Sequence, residues 1–266
     1  MKTPSFVVSL GAEAVWAPGR VGMLYRDLVP DHQGGSVVAS QIRIEADGPV
    51  ADYVHHHDVR FQAIYCYKGW VRVVYEDQGP SFVMRPGDCV LQPPGIRHRV
   101  LESSAGMEVI EVACPSGHET FADHDLTLPT PELRPLREFA GQRFVRHQAS
   151  KAQWRSWRLP GFECQDTGIA AATDGFASVR RVRATRTAAS EPWRHDADFL
   201  FVFVLEGELS LEVDGQARPR LTAGDAVVLP STLRYAIADR SAETTLLEVA
   251  WPAAFQTLRN AKSRPA

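Results

Sequence analysis

Short apolar runs that alternate with polar residues cover most of the chain from Ser36 onward. Each run is shorter than a typical helix, and many show the period of two that is expected of a half-buried strand. Turn sequences such as Asp47-Gly48-Pro49 and Gly79-Pro80 separate the runs. In the first half, the predicted strands are Val37–Ile44, Trp70–Tyr75, Cys89–Gln92, His98–Leu101 and Glu108–Ala113. This pattern predicts an all-β fold, either a sandwich or a barrel.

The second half of the chain repeats landmarks of the first half at an offset of 137 or 138 residues. The paired landmarks are Ala39–Ile44 with Ala177–Val182, Gly69 with Gly207, Gly87–Pro93 with Gly224–Pro230, and Ile110–Pro115 with Leu247–Pro252. The offset between paired landmarks changes by only one residue across the whole repeat, which is hard to obtain by chance. The repeat therefore predicts two homologous barrels in tandem.

The repeat and the turn residues together predict four segments. Residues 1–35 form an N-terminal arm, residues 36–115 the first barrel, residues 116–154 a linker and residues 155–258 the second barrel. The linker contains a proline-rich run, Thr127–Pro135, for which we predict an extended connection.

The composition narrows the class of protein without changing this picture. The chain has 266 residues, of which 44% are hydrophobic and 23% charged, as in a globular protein with a substantial core. A formal net charge of −3 argues against a nucleic-acid partner. We find neither a membrane-length apolar run nor the pattern of a signal peptide. The four scattered cysteines are expected to be free thiols, so we predict a cytoplasmic protein with no membrane partner.

Histidines in two separate stretches provide candidate metal ligands. His55 and His57 lie two residues apart, so on a strand both imidazoles leave the same face. Gln62 follows, at an odd spacing that requires a bulge or turn near residues 58–60, and His98 ends the second stretch. Three imidazoles and one amide oxygen suit a divalent transition metal.

The two stretches resemble the two sequence motifs of the cupins. The first runs from His55 through His57 and Gln62 to Gly69, and the second consists of Gly87, Pro93, Gly95 and His98. The first motif departs from the family in having Gln62 where most cupins have glutamate. The resemblance implies antiparallel jelly-roll barrels, with one metal ion held by His55, His57, Gln62 and His98. With its internal repeat, the chain resembles the bicupins.

The second copy of the motif has lost most of its ligands. At the repeat offset, His55, His57, Gln62 and His98 become, in order, Trp193, His195, Leu200 and Tyr235. One imidazole among Trp, Leu and Tyr is a poor match for a divalent cation. We therefore predict that the second barrel is degenerate and binds no metal, and that His195 is a hydrogen-bonded core or rim residue.

The predicted ligand set indicates an anionic substrate. Three neutral imidazoles and a neutral amide leave a divalent ion with its full charge, which favours a carboxylate or enolate in the open positions. The spacing does not choose between Fe(II), Mn(II), Ni(II), Co(II) and Zn(II). Arg43 and Arg60 are candidates for binding a substrate carboxylate, and Tyr53 for lining the pocket. The general base is not assigned, since a metal-bound hydroxide, Glu76, Glu102 or a barrel tyrosine are all candidates.

Three functions are compatible with these features. We expect a mononuclear metal-dependent enzyme that acts on a small anionic or enolisable carbonyl or carboxylate compound, and the cupin resemblance favours a dioxygenase. A metal-dependent isomerase or lyase is the first alternative, and a non-catalytic metal-binding or small-ligand-binding protein is the second. Because cupins often dimerise and exposed sheet edges invite pairing, we also predict a homodimer.

Overall fold

The computed structural model describes residues 4–186 and 191–259, which fall into two compact units. The first unit, called the N-terminal barrel below, comprises residues 14–152 and 167–174. The second, the C-terminal barrel, comprises the described parts of residues 1–13, 153–166 and 175–266.

The regular secondary structure of the described residues is almost entirely β-strand. The strands of the first half are β1 (Val7–Ser9), β2 (Ala17–Pro18), β3 (Leu24–Asp27), β4 (Val38–Ile44), β5 (Gly48–Pro49), β6 (His55–His57), β7 (Phe61–Lys68), β8 (Val71–Tyr75), β9 (Phe82–Met84), β10 (Cys89–Leu91), β11 (His98–Ser103), β12 (Met107–Cys114) and β13 (Thr120–Ala122). The remaining strands are β14 (Glu138–Phe139), β15 (Gln142–Arg143), β16 (Val145–His147), β17 (Arg155–Ser156), β18 (Phe162–Asp166), β19 (Ser178–Ala184), β20 (Trp193–His195), β21 (Phe199–Glu206), β22 (Glu208–Val213), β23 (Arg220–Thr222), β24 (Ala226–Val228), β25 (Tyr235–Ala238), β26 (Thr245–Trp251) and β27 (Thr257–Arg259). The helical elements are 3-10 turns at Gly11–Glu13, Arg20–Gly22 and Ala149–Lys151 and a single-turn helix α1 (Ile169–Ala172).

Two larger antiparallel sheets enclose the core of the N-terminal barrel. The first has the order β16-β10-β7-β12-β4-β3-β2, and the second has the order β13-β6-β11-β8-β9 with β5 paired to β11. Strands β7 and β12 lie centrally in the first sheet, and β6 and β11 pair in the second. Alternate side chains of these strands point inward, so residues from both sheets face one interior.

The C-terminal barrel has the same construction. Its sheets have the orders β1-β24-β21-β26-β19-β18-β17 and β23-β22-β25-β20-β27. The apolar run Phe199–Leu205 of β21 is buried throughout, as expected for a strand covered on both faces. The all-β, two-barrel jelly-roll architecture predicted from the sequence is confirmed.

Residues outside the predicted barrel segments supply edge strands in the structure. Within the predicted N-terminal arm, β1 pairs with β24 of the C-terminal barrel, and β2 and β3 extend a sheet of the N-terminal barrel. Within the predicted linker, β13 pairs with β6 and β16 pairs with β10. These pairings satisfy backbone groups that open sheet edges would otherwise expose.

The repeated glycines mark one tight turn in each barrel. Gly207 has a φ of 72°, and a Cβ atom there would lie 2.8 Å from the backbone nitrogen of Thr244. Gly69 has a φ of 66° and faces Ser104 and Met107 in the same way. Both the left-handed conformation and the close approach require glycine, which explains why this landmark survives in both copies.

Among the described residues, no helix has the length and hydrophobicity that crossing a membrane would require.

Candidate metal centre

The three histidines that the sequence singles out converge inside the N-terminal barrel. His98 of β11 lies directly opposite His55 of β6, and His57 follows two residues further along β6. One ring nitrogen from each histidine lies within 4.8 Å of the others. Cross-strand pairing thus brings two distant parts of the sequence to one point.

The hydrogen bonds of the histidines leave one nitrogen of each ring available. Nδ1 of His55 lies 2.9 Å from the carbonyl oxygen of Tyr53, and Nδ1 of His98 lies 3.0 Å from that of Ile96. Because a carbonyl only accepts, Nδ1 of His98 carries the hydrogen and its Nε2 presents a lone pair. Nδ1 of His55 lies beside both an acceptor, the Tyr53 carbonyl, and a donor, Nη1 of Arg20 at 3.0 Å; when it donates to the carbonyl, its Nε2 presents a lone pair as well. Nε2 of His55 is buried without a hydrogen-bond partner. An orphaned imidazole nitrogen facing two others fits a metal ion, and metal-bound histidines typically donate their other N–H in this way.

Burial keeps these imidazoles in the neutral form that binds metal. It lowers the pKa of His57 to about 3, helped by the neighbouring His55 and His118. Burial also lowers the pKa of His55, with a further contribution from Arg20, and lowers the pKa of His98 well below its usual range. All three rings are therefore neutral near pH 7, with lone pairs available for coordination.

Gln62 faces the same cavity as the histidines, although its spacing from His57 is odd. The chain leaves strand geometry over residues 58–60, between β6 and β7, which resets the alternation of side chains. The Gln62 side chain is buried and its Nε2 donates a hydrogen bond to Oε1 of Glu111. That bond uses the amide nitrogen, so it does not engage the carbonyl oxygen, the atom that can bind a metal.

Glu111 is a cavity residue that sequence reasoning missed. It lies on β12 opposite Ile64 of β7, and it is the single carboxylate among the described residues that line the cavity. Burial raises its pKa, and the hydrogen bond from Gln62 opposes that effect. The sequence contained a signal, because Glu248 occupies the equivalent place in the second copy, with two apolar residues on each side.

Arg20 is another cavity residue that sequence reasoning missed, and it carries the single guanidinium in that part of the lining which the structure describes. Its Nη1 donates to Oδ1 of the buried Asp52 at 2.7 Å, and its guanidinium lies 5.5 Å from the ring centre of Tyr53. The next residue, Val21, has a φ of 48°, which is strained for a β-branched side chain. The turn that presents Arg20 to the cavity is thus held in a conformation that the surrounding packing must stabilise.

Asp52 connects Arg20 to the histidines. Its side chain has no exposed surface and accepts hydrogen bonds from the backbone N–H groups of Tyr53 and Val100, each at 2.9 Å. Oδ1 of Asp52 also lies 3.8 Å from Nδ1 of His55. One buried carboxylate therefore holds the arginine beside the β6 histidine, where Nη1 of Arg20 lies 3.0 Å from Nδ1 of His55.

The structure places the other candidates outside the cavity lining. Arg43 donates to Glu108 at 2.9 and 2.7 Å and stacks 4.1 Å from the ring of Trp16. Arg60 is exposed beyond the end of β6, and Tyr53 packs 5.8 Å from the ring of His55. Of the suggested bases, Glu76 pairs with Arg97 and Arg137, and Glu102 pairs with Arg72.

The equivalent place in the C-terminal barrel is filled by an internal ion pair. Trp193 and Tyr235 lie opposite each other, as His55 and His98 do. The guanidinium of Arg158 donates to Glu248 at 3.1 Å through Nε and to the Tyr235 hydroxyl at 2.7 Å through Nη1. The cavity that remains measures only about 20 Å³, against about 260 Å³ in the N-terminal barrel.

His195, the one imidazole that survives in the C-terminal motif, is fully hydrogen-bonded. Its Nε2 donates to the carbonyl oxygen of Leu229 at 3.0 Å, and its Nδ1 accepts from the N–H of Ala197 at 3.1 Å. Burial lowers the pKa of His195 to about 4, and the charge of Arg158 adds to that shift. Both ring nitrogens are occupied, so the ring as placed offers no lone pair to a metal.

We expect His195→Gln to reduce the loss of stability in acid. Between pH 6.5 and 4 the unfolded chain binds a proton at this residue and the folded chain does not, so stability falls as the pH falls. Over that window the wild type loses about 3 kcal/mol through His195, which the variant does not lose. Urea denaturation of both proteins at pH 7 and pH 4.5 measures the difference. Equal pH dependence would show that His195 titrates normally in the folded protein.

Comparisons with known proteins agree with this architecture. The family described as "Cupin domain" matches residues 42–113, and the family described as "Cupin" matches residues 176–264. No curated protein matches the chain in sequence.

The fold is similar to those of solved oxalate decarboxylases. A formate complex of the Lactobacillus farciminis enzyme has a TM-score of 0.68 at 14% identity, covering 97% of this chain and 90% of the other. The Bacillus subtilis enzyme at pH 4.6 has a TM-score of 0.65 at 16% identity, covering 95% and 78%. Another Bacillus subtilis structure, described for its Mn(II) centres, has a TM-score of 0.66 at 16% identity, with the same coverage of both chains. With one cupin domain in each barrel, this chain is a bicupin of the cupin superfamily.

Proposed function

We propose that the N-terminal barrel is a metal-dependent enzyme site that acts on a small carboxylate and moves a proton at a neighbouring carbon, as a lyase or an isomerase does. One observation carries this proposal. A cavity of about 260 Å³ combines three converging imidazoles with a single arginine and a single carboxylate among its described lining residues.

The ligand set in this proposal is His55, His57, His98 and the carbonyl oxygen of Gln62. A bound divalent ion would supply a Lewis acid that stabilises negative charge on a substrate oxygen. Mn(II) is compatible with imidazole and oxygen ligands, and it is the metal named for the similar Bacillus subtilis enzyme. Fe(II), Ni(II), Co(II) and Zn(II) remain alternatives.

Arg20 is suited to binding the substrate carboxylate. Asp52 and His55 both lie beside Nη1, and Tyr25 is a further hydrogen-bond partner of the guanidinium, so a substrate carboxylate would bind at the face turned to the cavity. Charge-assisted hydrogen bonds of this kind are among the stronger ones. The pairing with Asp52 and the packing on Tyr53 hold the guanidinium in place before the substrate arrives. Pre-organisation of this sort reduces the entropic cost of orienting the substrate.

Glu111 is suited to proton transfer. It faces the cavity beside Gln62, near the histidines but outside the proposed ligand set. A carboxylate in this place can take a proton from the substrate carbon, or return one to it after decarboxylation. Tyr25 lines the same part of the cavity, and burial raises its pKa, with a further contribution from Glu111, so the phenol stays protonated.

The favoured reaction class differs from the dioxygenase favoured by the sequence alone. A lyase or isomerase needs a proton-transfer group beside the metal, and Glu111 provides one. The fold similarity to oxalate decarboxylases is in keeping with such chemistry. The dioxygenase remains a prediction that the same assay tests.

To test this proposal, the purified protein is loaded with Mn(II) or Fe(II) and incubated with oxalate and with a panel of 2-oxo acids. We expect release of CO₂, or exchange of the C3 hydrogens with D₂O seen by NMR, without consumption of O₂. Substrate-dependent uptake of O₂ would instead establish the dioxygenase. Metal binding without any turnover across the panel would favour the non-catalytic alternative.

We expect Glu111→Gln to lower turnover by roughly 10²- to 10⁴-fold, the usual contribution of a general base. The variant should keep its metal, because the neutral amide can still accept the hydrogen bond from Gln62. Turnover and metal content are measured on the same preparation. A parallel loss of metal and activity would show that Glu111 orients Gln62 and does not transfer the proton. Glu102→Gln, at the partly exposed pair with Arg72, is the matched control and should retain full activity.

A further inference from the structure

The cavity of the N-terminal barrel is polar at one end and apolar at the other. Along β12 the inward residues are Glu111, Val109 and Met107, in order of increasing distance from Gln62. Along β8 the corresponding series is Tyr75, Val73 and Val71, and it leads away from His98. All these side chains line one cavity.

The apolar end is deep enough to hold part of a ligand. At about 3.3 Å per residue, the strand distance from Glu111 to Met107 is about 13 Å. Aliphatic and thioether side chains line this end, including Ile42, Ile44 and Met84. None of these side chains carries a hydrogen-bond donor or a charge, so a second carboxylate placed there would lose its hydration without gaining a partner.

The volume also exceeds what the polar end needs. The cavity measures about 260 Å³ on a scale where about 10–15 Å³ holds one water molecule, so it is many times larger than a single carboxylate requires. Oxalate, which consists of two carboxylate groups and nothing else, would leave the apolar half without a ligand. The single arginine would also face two anionic groups.

We infer that the substrate is a monocarboxylate with an apolar body, such as a branched-alkyl or aryl group, rather than oxalate. This inference rests on the proposed function, since it assigns the carboxylate to Arg20 and the metal end. The apolar body extends between the sheets toward Met107 and Val71. Specificity then comes from the hydrophobic wall, and the carboxylate sets the orientation.

The test measures binding, which does not depend on turnover. Protein loaded with Mn(II) is titrated by calorimetry with oxalate, pyruvate, 4-methyl-2-oxopentanoate and phenylpyruvate. We expect the affinity for the 2-oxo acids to rise with the size of the apolar group, by about fourfold for each buried methylene. Oxalate should bind no more tightly than pyruvate. Equal affinity across the series, or oxalate as the tightest ligand, would overturn the inference and leave the proposed metal enzyme in place.

Two variants separate the two ends of the cavity. Val73→Phe fills the apolar end, so it should weaken the binding of phenylpyruvate at least tenfold and change the affinity for pyruvate by no more than about twofold. Arg20→Met should weaken both acids. If Val73→Phe weakens pyruvate and phenylpyruvate equally, the apolar end is not the binding site and the inference fails. The titration of the wild-type protein with the four acids needs no variant. It therefore tests the inference even if Val73→Phe does not fold. If no acid binds to the metal-loaded wild type, both the inference and the proposed function are wrong.

Discussion

Replacing His57 and His98 together by alanine is expected to leave the protein without stoichiometric metal. The double variant removes two of three converging imidazoles and leaves one imidazole and one amide, too few to compete with water. The loss of affinity should exceed the roughly 10- to 100-fold that follows when a hydrogen-bonding partner of a ligand is removed. Elemental analysis of protein purified without an affinity tag, after loading and gel filtration, measures the metal content.

His56→Ala is the matched control for this prediction. His56 lies between His55 and His57 in the sequence, but its ring stacks on Phe121 at 5.3 Å. Removing it should leave one metal ion per chain. Circular dichroism confirms that each variant is folded, since His98 is buried. Stoichiometric metal in the folded double variant would disprove the proposed ligand set.

Arg158→Ala is expected to destabilise the C-terminal barrel by about 3 kcal/mol, the low end of the roughly 3–5 kcal/mol lost when one partner of a buried ion pair is removed. Glu248 has a fully buried side chain, so without Arg158 it becomes an incompletely paired buried charge. Arg180, at 3.6 Å from Glu248, retains one ionic contact, which places the expected loss at that low end. Urea denaturation at pH 7, followed by the fluorescence of the tryptophans, measures the change.

Two further variants show whether the ion pair is responsible. Arg183→Ala breaks a pair with Glu163 in which both side chains are more than a third exposed, and it should cost less than about 1 kcal/mol. The double variant Arg158→Met with Glu248→Gln removes both charges and should be more stable than Arg158→Ala. A cost below 1 kcal/mol for Arg158→Ala would mean that water reaches Glu248 and compensates for the lost partner.

The sequence predicts most where the deciding distances are local, although metal binding by the histidines stays a prediction. His55 and His57 share a face because side chains alternate along a strand, and the spacing of the second motif brings His98 into the set. The repeat predicted two barrels because one offset relates the landmarks of both halves. The position of His98 beside His55 and His57 depends on strand pairing, and from the sequence it followed only from the resemblance to the second cupin motif.

The remaining cavity residues depend on packing between distant segments. Arg43 alternates with Ile42 and Ile44, and only the structure shows that the isoleucines are the inward residues. Arg20 belongs to a turn without strand periodicity, so no face could be assigned to it. Its repeat partner was nevertheless visible, because Trp16 and Arg20 recur as Trp154 and Arg158 at the offset of 138.

The ion pair of the C-terminal barrel has a consequence for ligand recognition in the other barrel. Arg158 and Glu248 are the repeat counterparts of Arg20 and Glu111, but Arg20 pairs with Asp52, and serine stands at position 190, where the repeat places the counterpart of Asp52. Both arginines therefore pair with a carboxylate of the chain, but Arg158 pairs with the counterpart of Glu111, whereas Arg20 pairs with Asp52 and leaves Glu111 hydrogen-bonded to Gln62. If Arg20 receives a substrate carboxylate, as proposed, then Glu248 fills the corresponding position in the second copy, and the duplicated fold holds one open and one internally occupied version of the same site.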